Sequence, residues 1–423
     1  MVLKYVPKKL ILLVLISQIY AQSNHQIQLN LFTNENNIQF LNKNSNGIYN
    51  NEKILNNIIF QNNIILDKFS FLEIKSNWYL NSDTIQLNEI SSIFSLEKLK
   101  IKIGSFNNEK LYENPNFSSG SMVFSNNARK IPGISFNSNW RNFFNFFEYK
   151  AEIFHGKFSK PLGYNDGPYL HYKSVLLKKK FENLNLGFSI QHAVQHGGYD
   201  QNNEKIPSGW DNFINVFFAR SGDESQPGQD QDYKAGNGLG SFTFFLEKNN
   251  TQLYYEHFFD DKSGVKTLNF GDGLLGVNFE SSSFDFNFEV INTRDQSGNQ
   301  HPPGVDSYYY HDVYTFGWSI DNLSIGNSFI HPNSNRKLIY NLGFEKFLNQ
   351  YSIIARYANA RVYTPYQDKN GNQPYENYND LIEKDEYVLL GINYFTKSEN
   401  IISINFASEN QSQNIKISYL LNL

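Results

Sequence analysis

Residues 238–293 alternate in polarity at every second position over consecutive runs, and this pattern restricts the folds open to the chain. The clearest run alternates large apolar residues with carboxylates and amides: Phe284, Asp285, Phe286, Asn287, Phe288, Glu289, Val290. Because successive side chains of a β-strand point to opposite faces, such a run has one apolar and one polar face. A soluble sandwich shares this property. Here, however, short turns alternate with long polar loops, which is typical of an outer-membrane barrel.

Comparable runs occur along most of the chain, as at residues 72–80, 99–103, 147–153 and 184–191. The last run, residues 415–423, alternates up to the C-terminal residue, as the barrel-insertion machinery would be expected to recognise. Weaker strands are expected near Met122 and Ile134. The pattern predicts an all-β fold, a large antiparallel transmembrane β-barrel of about 16 to 18 strands with long extracellular loops.

The lengths of the connections predict which end of the barrel faces outwards. Short turns are expected on the periplasmic side at 182–183, 248–250, 281–283, 321–322, 348–350 and 397–400. Long loops are expected outside at 156–171, 194–238, 260–273, 293–311 and 359–386. Residues 213–219 are apolar enough for a strand, but a strand there would place the 248–250 turn outside. We therefore predict a short helix or a lid in the external loop.

Three regions are expected along the chain. Residues 1–21 resemble a secretory signal, with lysines at 4, 8 and 9, an apolar run and a small residue, Ala21, before the expected cut. Residues 22–66 are rich in Asn and are expected to be poorly ordered or to form one weak strand. Residues 67–423 are expected to form the barrel. Export combined with this alternation predicts the cell outer membrane, with outer-membrane lipid as a partner.

Composition excludes several classes of protein. The chain of 423 residues has no cysteine, so disulfides and thiolate metal sites are ruled out. A formal net charge of -4 gives no reason to expect nucleic-acid binding. No linker or shift in charge divides the chain into separate domains, although its length would allow two or three.

Two short motifs admit a chemical interpretation. Residues 271–276 match G-x-G-x-x-G, but a nucleotide site needs a helix after the motif, and here a strand is expected. The phrase QHAVQHGG at 191–198 places His192 and His196 four residues apart, a spacing that suits a metal on a helix. On a strand the two are too far apart and lack a third ligand. Polar lumen or rim positions are favoured for both, with a ligand contact as the alternative.

Metal and catalytic sites find little support. The loop acids Asp260, Asp261, Asp272, Asp295 and Asp306 could hold calcium, but their spacing matches no recognised calcium loop, and solvated acids are favoured. No G-x-S-x-G elbow occurs and no Ser-His pair stands out, so an outer-membrane hydrolase is disfavoured. The sequence predicts no cofactor, no metal and no enzyme activity.

The predicted external loops combine aromatic rings with hydrogen-bonding groups. Trp210 is followed by Asp211, and the tyrosines 308–310 are followed by His311. Sugars are bound by such sets, because their C–H faces stack on rings while their hydroxyls bond to polar side chains. The alternative for any one tyrosine is the aromatic girdle at the membrane interface.

Several phrases in sequence order are more specific than these motifs. They are SSGSMVFSNNARKIPGI (118–134), LHYKSVLLKKK (170–180), QHAVQHGG (191–198), WDNFINVFFARSGD (210–223), GNGLGSFTF (236–244), YYEHFFDDKSGVKTLNFGDGLLGV (254–277), NTRDQSG (292–298), YYYHDVYTFGWS (308–319) and IGNSFI (325–330). From residue 118 to residue 361 the chain resembles the capsule-assembly Wzi family of outer-membrane proteins. The resemblance implies a barrel of about 18 strands. It also implies a lectin-like role in associating capsular or surface polysaccharide with the cell, rather than an enzyme or an export pore.

The resemblance and the loop chemistry together predict a non-catalytic polysaccharide-binding barrel, with a diffusion porin for small solutes as the alternative. The candidate polysaccharide-binding residues are Trp210, Asp211, Asn237, His257, Asp260, Asp261, Asp295, Gln296, Tyr308 and His311, and Trp318 is a further family-like position. Enterobacterial-type members of the family carry a helical bundle before the barrel. The Asn-rich segment here has no comparable amphipathic helices, which disfavours a periplasmic plug of that kind.

Overall fold

The computed structural model describes residues 22–33, 54–67, 70–80, 85–107, 117–143, 146–161, 163–220, 229–230, 234–260, 269–296, 307–365, 380–410 and 412–423. The predicted signal segment lies outside these residues. Among the described residues, no helix is long and apolar enough to cross a bilayer.

One large antiparallel sheet dominates the structure. Its strands are β1 (Gln22–Phe32), β2 (Ile54–Asp67), β3 (Ser70–Leu80), β4 (Ile85–Ser95), β5 (Leu99–Gly104), β6 (Gly133–Ser138), β7 (Arg141–Phe143), β8 (Phe147–Lys157), β9 (Tyr169–Lys180), β10 (Asn185–His196), β13 (Asn237–Lys248), β14 (Thr251–Phe259), β15 (Gly273–Glu280), β16 (Phe284–Asn292), β19 (Lys337–Leu348), β20 (Tyr351–Tyr363), β21 (Leu381–Phe395), β22 (Ile401–Glu409) and β23 (Ser412–Asn422). Loop elements are helix α1 (Trp210–Phe217) and the two-residue strands β11 (Gln229–Asp230), β12 (Lys234–Ala235), β17 (Ser319–Ile320) and β18 (Leu323–Ser324).

The sheet closes on itself. The first strand, β1, pairs with the last, β23, from Gln26 opposite Asn422 to Phe32 opposite Lys416. Strands β6 and β7 both pair with β8 and together occupy one position in the wall. The 19 strands of the sheet therefore form a closed barrel with 18 spanning positions, which confirms the predicted fold class.

The predicted alternation separates the two faces of this wall. Phe244, Leu253 and Leu275 are each about half exposed on the outward face. Glu256 of β14 and Glu289 of β16, on the opposite face of the wall, are 0% exposed. An outward apolar band combined with a polar interior is the arrangement expected of a barrel embedded in lipid.

The two ends of the barrel differ in the lengths of their connections, as predicted. Five of the expected short turns join consecutive strands, namely those at 182–183, 248–250, 281–283, 348–350 and 397–400. The chain termini of the wall lie at this same end, since Gln26 pairs with Asn422. The opposite end carries the long connections. The residues predicted as a short helix or lid form α1, within the connection between β10 and β13.

Three predictions about strands and turns were wrong. The segment 22–66 contributes two wall strands, β1 and most of β2, because the amide-rich runs still pair along their backbones. Residues 321–322 turn between the two-residue strands β17 and β18, which are too short to span a membrane. Met122 is not in a strand and is 0% exposed, whereas Ile134 lies in β6 as expected.

Two connections from the long-loop end fold into the barrel. We call residues 117–132 the first lumenal segment and residues 307–336 the second lumenal segment. The first bonds to inward side chains on separated parts of the wall, including Glu89 of β4, Glu256 of β14 and Asn341 of β19. Gly343 of β19 allows one close approach, since a Cβ there would lie 2.4 Å from Cβ of Phe117. The main buried cluster of the protein therefore lies inside the barrel.

Candidate functional site

Two buried carboxylates attach the first lumenal segment to the wall. Glu256 accepts hydrogen bonds from the Ser121 hydroxyl (2.8 Å) and the Met122 amide (3.0 Å). Glu289 accepts from the Ser118 hydroxyl (2.9 Å) and the Ser119 amide (2.8 Å). Charge-assisted bonds of this kind are stronger than neutral ones, and a buried carboxylate requires them. These two residues therefore fix the segment across the lumen.

The second lumenal segment is bonded to the first rather than to the wall alone. The side-chain amide of Asn327 donates to the Ser119 hydroxyl (2.9 Å) and to the carbonyl oxygen of Gly120 (2.8 Å). The Tyr309 hydroxyl donates to the Met122 carbonyl oxygen and accepts from the Asn327 amide (2.8 Å). Trp318, also fully buried, donates its indole N–H to the Val123 carbonyl oxygen at 2.8 Å. The two segments form one packed body within the barrel.

Asp272 organises the loops next to this body. Its carboxylate accepts hydrogen bonds from the backbone amides of Asp295 (3.0 Å) and Gln296 (2.8 Å) and from the Tyr308 hydroxyl (2.9 Å). Burial raises the pKa of Asp272 to about 6, although these three donors act in the opposite direction. Burial also raises the pKa of Asp295, against the attraction of Arg336. Asp272 thus joins the connection before β15 to the connection after β16.

The external loops also contact one another above the lumen. The Tyr164 hydroxyl lies 2.6 Å from that of Thr315, and the Tyr164 ring meets Phe316 edge-on at 5.3 Å. The Tyr314 hydroxyl donates to the carbonyl oxygen of Gly197 at 2.9 Å. The connections after β8, β10 and β16 therefore form one continuous outer surface.

Polar and aromatic groups project from this surface at residues 310–312, which we call the outer tract. Tyr310 is 42% exposed, Asp312 is exposed and His311 is partly exposed. Partial burial and the neighbouring Asp312 both raise the pKa of the Tyr310 phenol, so it stays protonated at neutral pH. The His311 ring accepts hydrogen bonds from the Val313 and Tyr314 amides at 3.2 and 3.3 Å. The tract offers an aromatic face next to hydrogen-bond donors and acceptors.

A cavity of about 250 Å³ lies where the second lumenal segment meets the wall, at the long-loop ends of β19, β21 and β22. We call it the mouth cavity. Its charged lining comes from Lys337, Asp385 and Glu409, and its aromatic lining from Phe329 and Tyr387, whose rings meet edge-on at 5.6 Å. The remaining lining residues are Asn127, Asn322, Leu323, Ser324, Ser328, Ile330 and His331.

The mouth cavity combines carboxylates, an ammonium group, amides, hydroxyls and an aromatic ring within the space of one small polar ligand. The Lys337 ammonium donates to the carbonyl oxygen of Phe329 at 3.0 Å, which holds it against the second lumenal segment. The Asp385 carboxylate accepts from the Asn410 side-chain amide at 2.8 Å. Such a lining can meet several hydroxyl groups at once.

The structure does not bring the predicted site residues into one site. Asn237, His257, Gln296 and Tyr308 are at most 3% exposed, so they cannot contact a polymer outside the protein as they stand. Each already has an internal partner or packing role; the Asn237 amide, for example, donates to Gln195 at 2.7 Å. Trp318 is likewise internal. The sequence could not separate loop residues that bind a ligand from those that hold the loops together.

The other candidates are more accessible but lie apart. Trp210 and Asp211 are exposed on α1. Asp260, Asp295 and His311 are partly exposed, and His311 belongs to the outer tract. Asp261 lies outside the described residues. Among the candidates, His311 is the one placed on the outer tract.

Within the described residues, no group of three or more His, Asp or Glu side chains is arranged to hold a metal. Asp272, one of the loop acids considered for calcium, is bonded to two backbone amides and a phenol instead. The residues 271–276 lead into strand β15, so the glycine motif is a loop-to-strand turn, as favoured from the sequence.

Several important residues were not predicted. Glu256 and Glu289 were expected simply to face a polar interior, and Asn327 was not singled out. The large aromatic residues of the second lumenal segment could have indicated that it is buried, because a solvated loop rarely contains so many bulky apolar side chains. The mouth cavity joins residues far apart in the chain and left no local pattern.

Comparison with solved structures supports the fold. The chain is similar to Wzi of Escherichia coli, described as an outer-membrane protein involved in group 1 capsule assembly and a carbohydrate-binding β-barrel. The sequences are 12% identical, the alignment covers 98% of this chain and 87% of that one, and the TM-score is 0.63. Similarity to OpdQ of Pseudomonas aeruginosa is weaker, with 9% identity, coverage of 95% and 98%, and a TM-score of 0.46. The outer-membrane channel DcaP of Acinetobacter baumannii is 8% identical, with coverage of 96% of this chain and 99% of that one and a TM-score of 0.43.

Comparison of sequences gives the family. No curated protein sequence matches the chain significantly. The family model for capsule assembly protein Wzi matches residues 115–361, more than half of the chain. This range contains both lumenal segments, Asp272 and the outer tract. The chain is therefore an outer-membrane β-barrel that belongs to the Wzi capsule-assembly family.

Proposed function

We propose that the protein binds a surface or capsular polysaccharide at the outer face of the outer membrane without catalysing a reaction. The family match to capsule assembly protein Wzi supports this assignment. The relative from Escherichia coli is described as carbohydrate-binding, and we extend that property to this chain as part of the proposal.

The lumenal segments are the observation that carries the proposal. A diffusion porin needs a continuous aqueous path, whereas Glu256 and Glu289 hold packed chain across the interior. The surface that remains available to a large polymer is the outer face above these segments. Binding there, rather than passage through the wall, is the function that this arrangement favours.

The outer tract and the mouth cavity are the proposed contact sites. Tyr310 would stack on the C–H face of a sugar, and Asp312 would accept bonds from its hydroxyls. The mouth cavity would receive one sugar unit or a side branch, with Asp385 and Glu409 accepting hydroxyl bonds and Lys337 facing any acidic group. Each contact is modest, and a repeating polymer makes them together, so affinity rises through multivalency.

Deletion of the gene tests the proposal in cells. We expect the amount of cell-attached polysaccharide to fall and the amount released into the medium to rise, while total synthesis stays unchanged. Complementation with the wild-type gene should restore attachment. If attachment is unchanged in the deletion strain, the capsule role is wrong.

Purified protein tests direct binding and the absence of catalysis. The barrel in nanodiscs is mixed with polysaccharide shed by the same cells, and binding is measured by sedimentation. We expect binding that is weakened in the double variant D385N/E409Q and unchanged in E345Q, a matched change of an inward carboxylate outside the mouth cavity. The length distribution of the polysaccharide should not change on incubation. Shortened chains would indicate a hydrolase instead.

Planar-bilayer conductance separates the proposal from the porin alternative. We expect no steady current from the reconstituted wild-type protein. A stable open current that small solutes block or carry would support a diffusion porin.

A further inference from the structure

Helix α1 lies on the outer wall of the barrel, not over its lumen. Ile153, Val175 and Ile190 of β8, β9 and β10 are 42–44% exposed on the outward face. His155, His171 and His196 stand an even number of positions from them along the same strands, so they point outwards too. These histidine rings lie 5.4, 5.4 and 6.2 Å from the ring of Phe213 in α1.

The contacts beneath α1 fix it in place. Phe217 packs against His171 at 5.2 Å, and Val216 is buried in a small apolar cluster with Val194 of β10. The Lys173 ammonium on β9 donates to the carbonyl oxygen of Phe217, in the last turn of the helix. A cation at this end also complements the helix dipole. The underside of the helix therefore packs against the wall.

A second side of α1, next to this underside, carries large apolar side chains. Trp210, Ile214 and Phe218 are 77%, 41% and 60% exposed. They are spaced by four residues and so share one side, with Phe218 just after the last helical turn. His155 lies two residues beyond Ile153, or about 7 Å along β8. The apolar face of α1 therefore continues the lipid-facing band of the wall at its outer edge.

We propose that this face is a lipid-binding surface, with Trp210, Ile214 and Phe218 inserted into the outer leaflet at the level of the headgroups. Trp is enriched at this depth, and short amphipathic helices lie along it with their apolar side buried. Arg220 is exposed, and its guanidinium lies 5.0 Å from the Phe218 ring, where it can reach lipid phosphates. Continuity with the wall is the reason for assigning lipid as the occupant.

The other possible occupants fit less well. A stable contact with a second copy of the chain generally buries about 800 Å² on each partner, far more than three side chains present. A polysaccharide would have to descend the outer wall to the level of Ile153 and Val175. Both alternatives remain measurable outcomes.

Fluorescence quenching in nanodiscs tests the proposal. The chain has four tryptophans, so the difference between wild type and W210F isolates the emission of Trp210. We expect lipids brominated near the headgroup to quench this emission more than lipids brominated at the chain end. Aqueous iodide should quench it weakly. The matched comparison is W140F: Trp140 is 41% exposed near the inward-facing Lys178, and its emission should respond to iodide and not to brominated lipid.

A second variant guards against misfolding. I214S/F218S keeps Trp210 but removes its apolar neighbours, and we expect a loss of lipid quenching with a gain of iodide quenching while the barrel stays folded by circular dichroism. The proposal is overturned if Trp210 of the wild type is quenched mainly by iodide. It is also overturned if shielding from iodide depends on protein concentration, which indicates a second copy, or on added shed polysaccharide.

Discussion

The carboxylate of Glu289 accepts the Ser118 hydroxyl at 2.9 Å, although the two residues are 171 positions apart in the chain. Arg356 of β20 lies near this contact. It donates to the Phe117 carbonyl oxygen at 3.2 Å and interacts electrostatically with Glu289. One inward carboxylate therefore links the wall, the first lumenal segment and a partly buried cation. Glu289 is therefore, together with Glu256, one of the two carboxylates that anchor this segment in the lumen.

Removing the two anchoring carboxylates should open the barrel. In E256A/E289A the serine hydroxyls and amides of the first lumenal segment lose their acceptors. Arg356, which is partly buried, also loses the electrostatic attraction of Glu289. We expect fluctuating ion current in planar bilayers where the wild type has none. E345A, which removes an inward carboxylate that bonds to Ser352 and Asn393 of the wall, should stay silent. A silent double variant would show that the lumenal segments hold without these anchors.

Two adjacent tyrosines should respond differently to loss of the hydroxyl. Y309F leaves the buried Asn327 amide and the Met122 carbonyl oxygen without a partner, at a cost of about 1–3 kcal/mol. We expect faster protease cleavage within residues 117–132. Y310F changes an exposed neighbour and should leave the cleavage rate unchanged. Equal rates in the two variants would contradict the role given to Tyr309.

The loops held by Asp272 should have a larger free energy of opening in mild acid than at neutral pH. Its folded pKa is about 6 and its ordinary value is 3.8, so the folded state binds the proton more strongly than the opened state. The free energy of opening should therefore fall as pH rises from about 4 to about 6, by at most about 3 kcal/mol, and be flat outside this window.

Hydrogen exchange of the Asp295 and Gln296 amides, corrected for the intrinsic pH dependence, measures this opening. D272N cannot ionise and should flatten the profile, apart from the smaller change of the same sign that Asp295 contributes through its raised pKa. It should also weaken the loops overall, since an amide offers one acceptor where the carboxylate offers two. If the opening free energy of D272N depends on pH as strongly as that of the wild type, another group is responsible for the dependence.

Loss of the aromatic ring on the outer tract should weaken polysaccharide binding. Y310A removes a stacking face worth about 0.5–1.5 kcal/mol, which corresponds to about a 2- to 10-fold rise in Kd for one contact. Y310F keeps the ring and should bind almost as the wild type does. F270A removes another exposed aromatic, which packs against Tyr255 and His257 on the outer wall, and serves as the control. Equal affinity of Y310A and wild type would remove the outer tract from the binding surface.

The wall could be predicted because a period of two is a local property of the sequence. The run from Phe284 to Val290 shows its outward and inward faces in seven residues. Counting strands predicted a short helix or a lid at 213–219, and most of these residues lie in α1. Low-complexity composition hid β1 and β2, since Asn-rich segments can pair through their backbones without a strong side-chain pattern.

The interior could not be predicted in the same way. The lumenal segments have no period, and their stability comes from contacts between distant residues, such as Ser125 with Gly326 across 201 positions. Tyr308 and Tyr310 illustrate the difficulty at the site: both are tyrosines in one external connection, yet Tyr308 is 0% and Tyr310 42% exposed. Burial of this kind depends on the assembled barrel.

The pairing of β1 with β23 has a consequence for biogenesis. Strands β1 and β23 are the first and the last strand of the described sheet in the sequence, and both lumenal segments lie between them. The contents must therefore be gathered before the seam is sealed, or else threaded in afterwards from the cell surface. Mutations that loosen the contents should accordingly slow maturation in the membrane as well as alter the finished protein.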